Sequence, residues 1–130
     1  MVLVDTSVWV DYFNGVGTPE SNVLDRLVGS GYLLTGDLIH AELLQGFIRD
    51  AEYRRAQDLL AAIPYADLVG REVALATAEN YRRLRARGIT IRKTIDVIIG
   101  TFCILHDHEL LHADRDFDPM EKYLDLRVRR

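Results

Sequence analysis

The stretch VLVDTS, residues 2–7, decides how the rest of the chain is read. It is an apolar run that stops on a carboxylate, Asp5. The run is too short and too uniformly apolar to be amphipathic, so it reads as a central strand covered on both faces, as in a parallel sheet. In open parallel sheets ligands bind in the crevice beyond the carboxyl ends of the strands, which places Asp5 where chemistry is usually found. A side-chain oxygen at that point also suits a helix start, so Asp5 or Ser7 as a simple cap is the competing reading.

Downstream, helical and extended patterns alternate. Thr6 or Ser7 can cap a helix containing Val8, Trp9, Tyr12 and Phe13, which ends before the loop at 15–17. A second helix is expected to start near Pro19, a favoured first-turn residue, to turn Val23, Leu24, Leu27 and Val28 inward, and to stop at 29–31, where two glycines stand. Residues 32–34 read as the second strand. Asp37 is the expected cap of a helix whose apolar stripe is Ile39, Leu43, Leu44, Phe47 and Ile48. Glu42 sits about 60° from Ile39, at the edge of that stripe, with Gly46 leaving space one turn later. This placement fits a carboxylate facing a cleft and equally a solvated helix edge.

Residues 51–63 read as a helix with Arg54 and Arg55 on its outer face, ended by Pro64 before a third strand at 66–69. A long helix is expected over 72–87, with Val73, Leu75, Ala76, Ala78, Tyr81 and Leu84 inward and Gly88 as its stop. Arg82, Arg83, Arg85 and Arg87 crowd its last turns, where cations suit both a solvated face and the helix carboxyl end. Arg92 and Lys93 directly precede the next acid and read as phosphate contacts.

The stretch TIDVIIGTFCIL, residues 94–105, holds one charged residue, Asp96. A helix apolar on all sides is central and buried, and a carboxylate inside it costs several kcal/mol unless it is paired, hydrogen-bonded or bound to a cation. Thr94 as cap and the helix dipole offer Asp96 partial relief. Residues 110–112 are expected to form the fourth strand, running into ADRDFDP at 113–119. Asp114 and Asp116 are two apart and would point the same way from an extended segment. Asp118, Pro119 and Glu121 instead form a helix-start pattern of cap, first position and third position, so Asp118 is left out of the site. Residues 126–128 read as an edge strand, beside a basic tail of Arg127, Arg129 and Arg130.

Strands alternating with helices favour one parallel sheet with helices on both faces, and right-handed crossovers bring the strand carboxyl ends to one edge. Asp5, Glu42, Asp96, Asp114 and Asp116 can converge there. Clustered carboxylates repel one another, so the group makes sense as a cation site, and all-oxygen ligands select a hard ion such as Mg2+ or Mn2+. Zinc fits less well, since His106 and His108 read as surface residues after a helix end. The formal net charge of -4 becomes +1 once those five carboxylates are set aside, so an acidic chain is compatible with a polyanionic substrate. At 130 residues one domain is expected, spanning 1–130. The single cysteine, Cys103, lies in an apolar run and reads as a buried hydrophobe, which with the absence of a signal-peptide pattern or membrane span points to the cytoplasm.

The combination of DTSVW at 5–9, Glu42 in HAELLQG, Asp96 in RKTID and HADRDF at 112–117 resembles PIN-domain ribonucleases of the VapC toxin type. The resemblance implies an α/β/α sandwich with a mainly parallel sheet of four or five strands, Mg2+- or Mn2+-dependent endoribonuclease activity, neutralisation by a cognate VapB-type antitoxin, and a homodimer. Asp5, Glu42, Asp96 and Asp114 match the family's acidic quartet, Asp116 its additional acid, and Thr6 and Ser7 the hydroxyls beside the first acid. Lys93 departs from a position that is often small and polar. Asp5, Asp96 and Asp114 would then hold one or two metals, with Glu42 and Asp116 completing the shell directly or through water. Two rivals stand beside this reading. One is a doubly wound phosphotransfer domain with Asp5 as phosphate acceptor; the other is a non-catalytic module holding a basic partner in its acidic cleft.

Overall fold

The computed structural model describes residues 1–130. β1 (Val2–Val4) has every side chain buried and pairs in parallel with β2 (Leu33–Gly36), which pairs outward with β3 (Tyr65–Ala66). On its other side β1 pairs in parallel with β4 (Glu109–Leu111), giving the order β3-β2-β1-β4. A strand with neighbours on both edges and helices over both faces has no solvated side, which is why VLV carries no polar residue. A single parallel bridge from Leu110 to Val128 extends the β4 edge, so the expected edge strand at 126–128 contracts to one pairing.

Seven helices flank the sheet as two groups, making a three-layer α/β/α sandwich. In the first, α1 (Thr6–Phe13) packs on α2 (Pro19–Leu27) and α3 (Asp37–Leu44), and α3 packs on α4 (Asp50–Ala61). In the second, α5 (Gly70–Ala86), α6 (Thr94–His106) and α7 (Asp118–Leu124) pack on one another. Trp9, fully buried on α1, stacks on Phe13 with ring centres 5.8 Å apart. Thr18 and Ser21 close a reciprocal cap on α2, with Pro19 in its first turn as expected. No helix is long and apolar enough to cross a membrane.

Several local expectations are corrected. β2 reaches Gly36, two residues beyond the expected end, and β3 is the pair Tyr65–Ala66 rather than 66–69. Asp37 is the first residue of α3 and not its cap; its Oδ1 accepts from the amides of Leu38 at 2.8 Å and Leu68 at 3.0 Å, tying α3 to the segment after β3. α3 stops at Leu44, so Ile48 is not part of its stripe and is 97% exposed. On α5, Leu75 is 63% exposed, and the buried stripe is Val73, Thr77, Asn80 and Leu84. Asn80 can be buried because its Nδ2 donates to Thr101 Oγ1 on α6 at 3.0 Å.

Gly36 is fixed by close approach rather than by its backbone angles. A Cβ there would lie 2.7 Å from the Ala66 carbonyl oxygen and 2.5 Å from the Leu68 side chain. Backbone cannot yield as a flexible side chain can, so Gly36→Ala is expected to destabilise the fold by about 1–3 kcal/mol, the usual cost of overpacking. A denaturation midpoint unchanged from wild type would contradict this.

Candidate active site

Asp5 stands at the joint between β1 and α1. Its amide donates to the Leu111 carbonyl at 2.9 Å, pinning it to the end of β4. Its Oδ2 accepts from the Ser7 amide at 3.0 Å and from Ser7 Oγ at 2.6 Å, so Asp5 is the cap of α1. Neither Thr6 nor Ser7 caps, since both lie inside the helix. Ser7 Oγ also accepts from the Ala113 amide at 3.1 Å, joining α1 to the loop after β4. The two readings of Asp5 therefore coexist: a capping carboxylate that is buried and within charge–charge reach of Asp114. Burial raises its pKa, the Ser7 hydrogen bonds oppose that rise, and the Asp114 charge adds to it.

The tight cluster is made by three other acids. Carboxylate oxygens of Asp96, Asp114 and Asp116 lie within 4.8 Å of one another. Asp96 enters from the first turn of α6. Asp114 follows β4 and caps a 3-10 turn over Arg115–Phe117, its Oδ1 accepting from the Asp116 amide at 2.9 Å. The expected extended segment is therefore a tight turn, and it is the turn that brings Asp116 round beside Asp114. The same turn runs straight into α7, so Asp118 is exposed and does not cap. Glu121 does not complete a capping box either; its carboxylate accepts from Arg130 at 2.8 and 3.0 Å.

Asp96 is buried, and its Oδ2 has no hydrogen-bond partner. Thr94 does not cap α6; Lys93 holds that place without a side-chain bond. Burial, reinforced by the charges of Asp5 and Asp114 and opposed by Lys93, pushes the Asp96 pKa up to about 7. Glu42 lies outside the tight group. It is half-buried on α3, where its Oε1 accepts from Thr6 Oγ1 at 3.2 Å. Burial raises its pKa, the Thr6 bond opposes this, Asp5 adds to it and Lys93 lowers it. Lys93 is thus the cation that acts on both Asp96 and Glu42, although it is exposed, as Arg92 is.

An orphaned buried carboxylate oxygen beside two further carboxylates fits a hard divalent cation. The span of the three oxygens is comparable with the roughly 4.2 Å across an octahedral Mg2+ shell. No histidine belongs to the cluster. His108 stacks on Phe102 with ring centres 5.7 Å apart, His106 is tilted against the same ring at 4.7 Å, and His108 is half-buried rather than superficial. His112 is the residue that reading the sequence missed. Its Nδ1 accepts from the Asp114 amide at 3.2 Å and its ring packs on Phe117, so it orients the loop that carries two acids. Its sequence signals were its place directly after the β4 apolar pair and at the head of HADRDF, neither of which assigns it a role.

These shifts predict a pH dependence. The folded protein holds the Asp96 proton up to about pH 7 against an ordinary value of 3.8, so metal-free stability from this group is full below about pH 4. It is lost as pH rises through about 7, and Asp5 and Glu42 act in the same direction. Melting in EDTA is expected to drop by several degrees between about pH 5 and 8, and Mn2+ should restore it at the upper end. A metal-free melting temperature that rises over this interval would contradict the shifts.

An α/β/α fold with acids clustered beyond the carboxyl ends of its parallel strands places the chain among metal-site α/β proteins. The PIN domain model matches residues 2–123, and the chain belongs to that family. It is similar over 130 residues, at 29% identity, to Ribonuclease VapC11 of Mycobacterium tuberculosis, with 98% of this chain and 97% of the relative covered. Among solved structures, VapBC2 from Rickettsia felis bound to a promoter DNA fragment matches with a TM-score of 0.77 at 17% identity, covering 99% of this chain and 98% of that one. A toxin-antitoxin complex from Klebsiella pneumoniae matches with a TM-score of 0.69 at 18% identity, covering 90% of each chain. The structural likenesses concern the fold.

Proposed function

We propose that the chain is a metal-dependent endoribonuclease, the toxin of a toxin-antitoxin pair, that hydrolyses RNA phosphodiester bonds. The observation that carries this reading is the convergence of Asp96, Asp114 and Asp116, with one buried Asp96 oxygen left unpartnered. The PIN domain match and the VapC ribonuclease relative supply the reaction class.

Asp5, Asp96 and Asp114 would hold Mg2+ or Mn2+, with Glu42 and Asp116 taking part directly or through water. Such an ion, when bound, supplies a water of lowered pKa and positive charge against the attacking and leaving oxygens. Ser7 keeps the Asp5 carboxylate aimed while joining it to the loop that carries Asp114. Thr6 holds one oxygen of Glu42 and leaves the other to accept a proton from water. Lys93 tempers repulsion among the acids, and with Arg92 it steers the phosphate backbone toward them. Single-stranded or looped RNA suits the cleft, because its backbone and bases are accessible. No side chain need form a covalent intermediate. The burial of Asp5, with Oδ2 engaged twice by Ser7, disfavours the alternative role of phosphate acceptor.

A VapB-type antitoxin and a homodimeric state accompany this reading, the first supported by the toxin-antitoxin complex among the fold's neighbours and the second by the family resemblance. Expression without an antitoxin should arrest growth and leave RNA with new internal ends. The Asp5→Asn, Asp96→Asn double variant should do neither. The same ends produced by that double variant would defeat the proposal, and a monomeric mass in sedimentation would remove the dimer from it.

A further inference from the structure

A cavity of about 500 Å³ adjoins the acid cluster on the β4 side and shares Asp114 with it. Its size falls within the range of small-molecule sites. Apolar side chains of Val23, Leu111 and Val128 contribute to the lining, and the remaining groups are of mixed kind. Glu20, Asp114 and Asp118 offer acceptors there, while Arg115, Arg129 and Arg130 offer donors, Arg130 being paired with Glu121. Arg129 is held by Glu109 at 3.3 Å, whereas Arg115 forms no salt bridge. Carboxylates among the lining disfavour a bare phosphate. A nucleobase, with apolar faces and an edge that both donates and accepts, fits such a lining.

His112 forms part of the same wall and accepts from the Asp114 amide at 3.2 Å. Arg115 lies between Asp114 and Asp116 in the chain, on the 3-10 turn. A group seated in the cavity is therefore next to the carboxylates that would act on the phosphodiester. From this juxtaposition we infer that the cavity is a base-recognition subsite, which receives a nucleobase splayed out of single-stranded RNA beside the scissile phosphate, with Arg115 as its specificity-determining donor. The inference rests on the ribonuclease reading and adds to it where the substrate is read.

The test uses the full chain with Mn2+ and short single-stranded oligoribonucleotides that differ in one base beside the cleavage point. For the preferred oligonucleotide, Arg115→Ala should raise KM about tenfold, with kcat changed far less. The preference among bases should flatten. Arg115→Lys keeps the charge without the planar fork, so it should recover affinity in part and leave the preference flat. Arg54→Ala, on α4, is the charge control and should change neither KM nor preference. An oligonucleotide carrying 4-thiouridine at the varied position should photocrosslink to the peptides around 19–23 and 111–130.

Unchanged KM and preference in Arg115→Ala, with wild type cleaving normally, would overturn the inference and leave the ribonuclease reading intact. Full recovery of preference by Arg115→Lys would also overturn it, since a phosphate contact needs only the charge. Wild type that cleaves no RNA with either metal would remove both readings together.

Discussion

Asp96→Asn is expected to reduce RNA cleavage by roughly a thousandfold or more, while the metal-free protein melts at a higher temperature than wild type near pH 8. The activity loss follows from removing a buried carboxylate with an unpartnered oxygen from the cluster it forms with Asp114 and Asp116, and with it several kcal/mol of metal-derived stabilisation of the transition state. The stability gain follows from the same carboxylate. Burial and the charges of Asp5 and Asp114 hold its pKa at about 7, so above that pH the folded chain must carry a charge it resists. An amide of the same shape carries none. The cleavage rate and a melting curve in EDTA read the two effects separately. A variant that loses activity and also melts far below wild type in EDTA would mean that Asp96 supports the fold and not a metal.

The second large effect is structural and reaches the site through one aromatic ring. Phe117 is fully buried at the end of the 3-10 turn, its amide donates to the Asp114 carbonyl at 3.2 Å, and its ring lies 4.9 Å from that of His112. Truncation to alanine should cost about 3–5 kcal/mol, the usual loss for a buried aromatic. That corresponds to a fall in melting temperature on the order of 10–20 °C for a chain of this size. The turn that it anchors sets Asp114 and Asp116, so Mn2+ affinity of the molecules still folded should fall as well. Leu24→Ala, a buried truncation on α2, is the comparison: it should lower melting temperature with Mn2+ affinity unchanged. Equal Mn2+ affinity in the two variants would sever Phe117 from the site.

The acids were legible in the sequence for a physical reason. A carboxylate inside TIDVIIGTFCIL, or at the end of VLV, conflicts with its apolar surroundings, and such a conflict needs a cation or hydrogen bonds to resolve it. The central strand and buried α6 were legible because neither has a polar side. Periodicity failed where burial was polar. Thr77 and Asn80 line the inner face of α5, with Asn80 satisfied by Thr101, while Leu75 is left outside; no single-helix pattern contains that partner. Local start signals failed where another element had taken the position first. Asp118, Pro119 and Glu121 have the composition of a capped start, yet the preceding 3-10 turn runs directly into α7. His112 escaped assignment because its work is to hold the loop that carries the acids, and the link from Ser7 to Ala113, which crosses 106 positions, is a contact that no local pattern contains.

Metal-dependent ribonuclease activity is read by cleavage of a single-stranded RNA by the purified chain with Mn2+, then with excess EDTA, then with Mn2+ restored. Cleavage, its loss and its return are expected in the wild type, and none at any stage in the Asp5→Asn, Asp96→Asn double variant. Cleavage that persists in EDTA, or in the double variant, would contradict that metal-dependent activity.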